Sequence, residues 1–347
     1  MAIVFDTPFT RLVGIDIPIV QAPIGGMARP PLAAAVSNAG ALGMISLSWS
    51  EADEVQSIIA DMRERSDRPF GVNLILEWPQ EERLKQLVDL GVPIVSFFWG
   101  DPAPLVPIAH AGGALVMHTV GSAEDARRAV EAGVDIVVAQ GWEAGGHVWG
   151  SVASLPLIPA VVDAVAPVPV VAAGGIGDGR GLAAVLALGA AAGWLGTRFA
   201  MAEETPSHPR YRELLLEAPE SSTVISPVFD IGWPNAPGRF LRNSTIRAWE
   251  TAGSPTIDRP GEGETLATWD GDPIVRYATT APHAAVVGDI EALPLWAGQS
   301  VGLVHDVAPA AAIVRRIAAE AKVAIDRAAA TITTSVTHSA DGDREAG

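Results

Sequence analysis

Eight short apolar runs, rich in β-branched residues, recur through the first two hundred residues at intervals of about 20 to 35 positions. They are Ile17–Ile24, Ala41–Ser46, Phe70–Leu76, Pro93–Phe98, Ala114–His118, Val134–Ala139, Val168–Ala173 and Ala192–Gly196. Each gap has room for one helix and two loops. Four of the gaps, Glu51–Arg65, Gln80–Leu90, Ser122–Ala132 and Gly181–Leu188, carry apolar residues at three- and four-residue spacings, as amphipathic helices do. Ser122 followed three places later by Asp125 resembles a capping box, and Gly91, Gly133 and Gly189 stand where a glycine relieves the left-handed turn after a helix. Strands this apolar, joined by helical crossovers, belong to a parallel sheet covered on both faces. Eight such units in one run favour an α/β fold closed as a (β/α)8 TIM barrel over an open doubly wound sheet.

The rhythm ends near residue 218. Ser207–Ala218 can supply the eighth barrel helix, so 1–218 reads as the barrel. Residues 219–306 scatter Pro, Gly, Thr and Trp, with one helix expected at Asn243–Ala252; they read as an insertion packed on the barrel mouth. Alanine-rich 307–331 reads as a C-terminal helix and 332–347 as a flexible tail. Hydrophobic residues make up 49% of the chain and charged residues 18%, with mean hydropathy +0.28, which excludes a disordered chain. The net charge of −17 argues against nucleic-acid and anionic-membrane partners. Without cysteine there is no disulfide, thiol nucleophile or thiolate metal site. The N-terminus lacks the pattern of a signal peptide, and the most apolar stretch, Gly181–Thr197, is short for a bilayer span. A cytoplasmic protein is the expectation.

Barrel sites form at the C-terminal ends of the strands. Reading only those positions collects Gln21 to Gly26, Ser46, Asn73, His118, Gln140 to His147, Gly174-Gly175 and Gly196-Thr197. Glycines after the seventh and eighth strands let backbone N–H groups approach a phosphate. Asn73 and Gln140 are amides suited to the N–C=O edges of a heterocycle. Phosphate, heterocycle and an apolar mouth together suggest flavin mononucleotide (FMN), while dinucleotide fingerprints are poor and no P-loop exists. His147, after two glycines and beside Glu143, is the candidate catalytic group. His118 and His283 are candidates for lining or covering the cavity, whereas His110, His208 and His338 look superficial. No histidine pair has metal-ligand spacing, so no metal is expected. Gly298-Gln-Ser-Val-Gly302 matches a hydrolase nucleophile elbow, but its place after the barrel and its histidine order argue against that chemistry.

The chain resembles the nitronate monooxygenase family, also called 2-nitropropane dioxygenases. The matching stretches are PIVQAPIGGMARPPLAAAVSNAGALGMIS from 18, FGVNL from 70, VVAQGWEAGGH from 137, VPVVAAGGIGDGRG from 168, WLGTRF from 194 and AGQSVGLVHD from 297. The resemblance implies an FMN-dependent TIM barrel that oxidises alkyl nitronates, or nitroalkanes, with O2 to a carbonyl compound and nitrite. It places Ala22, Pro23 and Ile24 against the flavin ring, and Asn73 and Gln140 on its polar edges. Gly145, Gly146, Gly174, Gly175, Gly196 and Thr197 fall near the ribityl phosphate, with Gly298 and Gln299 approaching the flavin. His147 takes the catalytic place, meeting the charge of a nitronate or removing the α-proton of a nitroalkane. Trp142, with Trp149 and Trp296, implies an apolar or aromatic substrate. Enoyl-acyl-carrier-protein reductases and quinone reductases that use FMN and NAD(P)H resemble the same barrel and are the alternative. The partners implied are a small molecule and O2, and a homodimer is an assembly this reading allows.

Overall fold

The computed structural model describes residues 3–332. All eight apolar runs form parallel strands: β1 (Ile19–Gln21), β2 (Gly43–Ser46), β3 (Phe70–Ile75), β4 (Ile94–Phe98), β5 (Leu115–Val120) and β6 (Ile136–Gln140), then β8 (Val170–Ala173) and β9 (Ala192–Leu195). Between the last two pairs lies β7 (Gly146–His147), which leaves the barrel. The strand order is β1-β9-β8-β6-β5-β4-β3-β2. Leu42 closes the ring: its N–H donates to Ile19 O at 2.9 Å and its carbonyl accepts from Gln21 N–H at 3.0 Å. The fully buried Gln21 side chain adds a rung, its Oε1 accepting from Met44 N–H at 3.0 Å. Gln21 therefore serves closure.

Along each strand the side chains alternate between the barrel interior and the helix layer, as a pleated strand requires. Val20, Leu42, Met44, Ile94, Met117, Ile136, Val138 and Val171 fill the interior. Val72, Val95, Val116, Val137 and Val170 face outward into the helices. Those helices include α2 (Pro30–Asn38), preceded by α1 (Pro8–Val13), and α3 (Ala52–Arg65), α4 (Glu81–Asp89), α5 (Val106–Ala111), α6 (Ala123–Glu131), α7 (Ser154–Val165) and α8 (Gly179–Ala187). The short α1 brings Phe9 and Val13 into the interior cluster and plugs one end. Ser122 caps α6, its Oγ accepting from Asp125 N–H at 3.0 Å. The three glycines singled out after helices have φ of +65° (Gly91), +96° (Gly133) and +95° (Gly189).

Three further helices follow β9: α9 (Thr197–Ala200), α10 (Pro209–Glu217) and α11 (Ser244–Thr251); the last is α12 (Ala310–Ala329). The eighth place on the barrel wall is not taken by 207–218. Tyr211 and Leu215 of α10 bury against Leu241, Leu266, Leu293 and Val301, which belong to the later segment. Instead Ile313, Val314, Ile317 and Ala321 of α12 pack with α2 and α8 residues Leu32, Val36, Leu182 and Val185. The longer, more apolar stripe wins that groove. The rest of the later segment forms β10 (Thr223–Ser226) and β11 (Gly238–Leu241), with β11 pairing β10 on one side and β7 on the other, and a second sheet, β13-β12-β14. In that sheet β12 is Thr265–Trp269, β13 Asp272–Val275 and β14 Val286–Gly288. Apart from Ile332, the expected tail and His338 lie outside the described residues. Among the described residues, no helix is long and apolar enough to cross a membrane.

Candidate active site

A cavity of about 500 Å³ opens at the C-terminal ends of the strands. Ala22, Pro23, Ile24, Asn73, Gln140, Gly145, Gly146, His147, Gly174, Gly175, Gly196, Thr197 and Gly298 all line it. The strand period explains this grouping. Asn73 and Gln140 share the inward parity of Gly71 and Val138, so an amide faces inward near the mouth on β3, one inward position before Ile75, and at the end of β6.

Glycines shape one side. Gly174 and Gly175 hold φ of +98° and +75°, where a side chain is strained. A Cβ on Gly145 would stand 2.4 Å from Gly298 N, so the backbones at 145 and 298 touch. Thr197 Oγ1 accepts from Gly298 N–H at 3.0 Å and ties that contact to β9. The N–H groups of Gly175, Gly196 and Thr197 donate to no acceptor among the described residues. Free backbone donors lining a cavity can bind a phosphate without a cationic side chain.

His147 sits on the other side, held by the later segment. Its strand β7 pairs with β11, Gly238 opposite His147. His147 Nδ1 lies 3.1 Å from the Ala236 carbonyl, which can only accept, so Nδ1 carries the proton and Nε2 keeps a lone pair. The ring is wedged between Trp233 and Trp296, at centroid distances of 4.0 and 4.9 Å. Burial pushes its pKa down to about 4, against the smaller opposing effects of the Ala236 and Pro237 carbonyls. At neutral pH the group is a neutral base. In this tautomer Nε2 is set to accept a proton rather than to donate one.

Gln140 holds the loop that carries His147. Its Nε2 donates to His147 O at 3.0 Å and its Oε1 accepts from Trp149 N–H at 2.9 Å. Glu143 is likewise structural: its carboxylate accepts from Ser154 N–H and Oγ at 3.0 Å. Tyr211, deep in the wall, donates its hydroxyl to the Trp296 carbonyl and so braces that ring.

Five expected residues do not line the cavity, the first being Trp149, which packs edge-on against Trp99 at a centroid distance of 4.7 Å. His118 points to the helix layer, because β5 runs on to Val120 and it is Thr119 that faces inward. Its Nδ1 is buried without a partner, and burial lowers its pKa to about 4. His283 stacks behind Trp269 at 4.7 Å. Trp142 turns out under Arg239, whose guanidinium lies 5.8 Å from the ring. Gln299 is exposed, its N–H donating to Glu143 O at 3.0 Å; its neighbours Gly298 and Ser300 line the cavity instead. Ser300 lies in a 3-10 turn over Gln299–Leu303, without the strand-turn-helix of a hydrolase elbow. Sequence reading missed Arg29, Trp49, Trp233 and Trp269, all of which line the cavity. Trp49 had a signal, since it follows β2 by three positions and strand-end loops face the mouth. Among the described residues, no group of three or more His, Cys, Asp or Glu is placed to hold a metal.

Solved structures share this arrangement across nearly the whole chain. FabK from Thermotoga maritima superposes with a TM-score of 0.79 at 32% identity, covering 94% of this chain and 100% of that one. A nitroalkane oxidase from Streptomyces ansochromogenes gives 0.75 at 31%, covering 93% and 99%. Fold and site together are those of a TIM-barrel oxidoreductase. Residues 6–85 and 78–320 match the family model for nitronate monooxygenase, and the chain belongs to that family. A nitronate monooxygenase of Pseudomonas aeruginosa PAO1 is 34% identical, covering 72% of this chain and 82% of that one. A (3aS,4S,5R,7aS)-5-hydroxy-7a-methyl-1-oxo-octahydro-1H-indene-4-carboxyl-CoA dehydrogenase of Mycobacterium tuberculosis H37Rv is 36% identical, covering 71% of this chain and 68% of that one. Members of the family therefore differ in the reaction they are named for.

Proposed function

We propose that the protein binds FMN and oxidises alkyl nitronates, and nitroalkanes through them, to a carbonyl compound and nitrite with O2. The observation that carries this reading is His147: a neutral histidine with its proton fixed at Nδ1 and a free lone pair at Nε2, facing a cofactor-sized cavity. The residues present fit FMN. The free N–H groups of Gly175, Gly196 and Thr197 would take the phosphate, and Asn73, with its Nδ2 given to Ser96 O at 3.1 Å, keeps an acceptor for the ring edge. Bound FMN would supply the capacity to accept electrons from the substrate and pass them to O2.

The chain's own part is the proton. A neutral nitroalkane set against Nε2 would lose its α-proton to His147, leaving the nitronate in the pocket. The Ala236 carbonyl would then stabilise the imidazolium through Nδ1–H. Trp233 and Trp296 exclude water, which keeps the base unprotonated and the site poorly solvated.

A second reading, an FMN-dependent NAD(P)H reductase acting on an enoyl thioester or a quinone, is supported by the likeness to FabK. One experiment separates them. Holoprotein is mixed anaerobically with ethyl nitronate and, separately, with NADH and NADPH while the visible flavin absorbance is followed. The proposal expects a change with nitronate and none with nicotinamide. Bleaching by nicotinamide alone would favour the reductase.

A further inference from the structure

The cavity is charged in one place only. Of the side chains that line it, Arg29 alone carries a formal charge, in a chain with 40 acidic and 23 basic residues. No carboxylate reaches the lining. Local structure does not explain an arginine here. It occupies the N-cap of α2 and makes no capping hydrogen bond. A cation at that end also opposes the helix dipole. Pro30 and Pro31 follow, and the next N–H groups, of Leu32 and Ala33, both donate to Arg29 O at 3.1 Å, so the first turn offers no free N–H to hold an anion.

What Arg29 does touch is Glu54, Nη1 to Oε1 at 2.9 Å, with both side chains partly exposed. Such a pair contributes little to stability. It uses one donor of the guanidinium's five and leaves a fork free. Two indoles stand beside the loop that leads into it. The loop that carries Arg29 passes Trp49 at Gly25 and Trp269 at Gly26, where added Cβ atoms would lie 3.9 and 3.6 Å from the rings. Trp49 meets Trp78 edge-on at 5.3 Å yet stays 52% exposed, so much of its ring is left uncovered. Arg29 follows β1 and His147 follows β6, three places apart in the ring of eight, so the two groups stand at separated parts of one mouth.

We infer that Arg29, Trp49 and Trp269 form a subsite for the carboxylate end of a bulky apolar acid, whose other end reaches His147. The guanidinium fork matches a carboxylate in two-point geometry, and the indoles cover the adjoining hydrocarbon or aromatic body. Glu54 holds the fork in place while the subsite is empty. The inference rests on reading this cavity as the substrate site.

The test is a binding measurement independent of turnover. Holoprotein is titrated with 4-phenylbutyrate and with its neutral analogue 4-phenylbutanamide by calorimetry, with tryptophan fluorescence as a second signal. The acid is expected to bind roughly ten- to a hundredfold tighter. Arg29→Gln should erase that preference while amide binding and flavin content hold, and Arg29→Lys should keep part of it. The preference should also shrink with added salt, because the site lies near solvent. Equal affinities, no binding of either compound, or a preference that survives Arg29→Gln would overturn the inference. Loss of flavin from Arg29→Gln would overturn it too, by assigning the residue to the cofactor. A preference found in a protein that oxidises no nitroalkane would instead overturn the proposed reaction and leave the subsite standing.

Discussion

His147 and His118 share a depressed pKa, both pushed to about 4 by burial, and yet only one faces the cavity. For each, the unfolded chain takes up a proton near pH 6.5 and the folded chain only near 4. The unfolded state therefore binds more protons between those values, and stability is lost as pH falls through that window and is complete above it. His118→Leu should flatten part of this acid loss, read as urea midpoints at pH 7 and pH 5. An unchanged acid sensitivity would place the titrating group elsewhere. For activity the same shift predicts that kcat/KM with a neutral nitroalkane stays level from pH 7 down to about 5, where an ordinary histidine would already have lost its base. Gly175→Asp should abolish flavin retention, since it puts a carboxylate beside the proposed phosphate at a position with φ +75°. Flavin content after gel filtration reads this directly.

At the scale of elements, the barrel was legible because its strands are apolar on both faces and its helices end on glycines. Those signals are local. Parity was the weak point: stopping the fifth strand at His118 hid the fact that Thr119 is the inward residue. The eighth helix was misplaced because 207–218 and 310–329 both read as helical, and only packing shows which one carries the stripe that fits between α2 and α8. The strand-end residues of the site were legible by the barrel rule. Trp233, Trp269 and the Ala236 carbonyl were not, since they come from a segment with no period to follow. That segment is what positions His147, and two changes probe the division of labour. In Gly238→Val the new Cβ would stand 2.5 Å from the Trp296 ring. It should keep flavin but lose roughly a hundredfold in turnover, as misplaced catalytic groups do; full activity would show that β11 does not set the histidine. Ile313→Ala, at a fully buried site of α12, should cost about 2–5 kcal/mol in urea unfolding while turnover per bound flavin holds. A loss within error would mean that α12 does not complete the barrel wall.

Across the whole molecule, the acidic chain surrounds a mouth that no carboxylate lines, and the two sides of that mouth divide the work. In the proposed reading, the unpartnered backbone N–H groups at 175, 196 and 197 would take a cofactor phosphate without added charge, and the tautomer-fixed His147 would face the substrate. The central claim is that Nε2 of His147 takes the carbon-bound proton in this flavin-bearing barrel. The most direct measurement compares wild type and His147→Ala, each checked for bound flavin, on nitroethane and on preformed ethyl nitronate. The account predicts a loss of roughly 10²–10⁴-fold in kcat/KM with nitroethane and a much smaller one with the nitronate, whose proton has already gone. Equal losses on both substrates, or none on either, would contradict it.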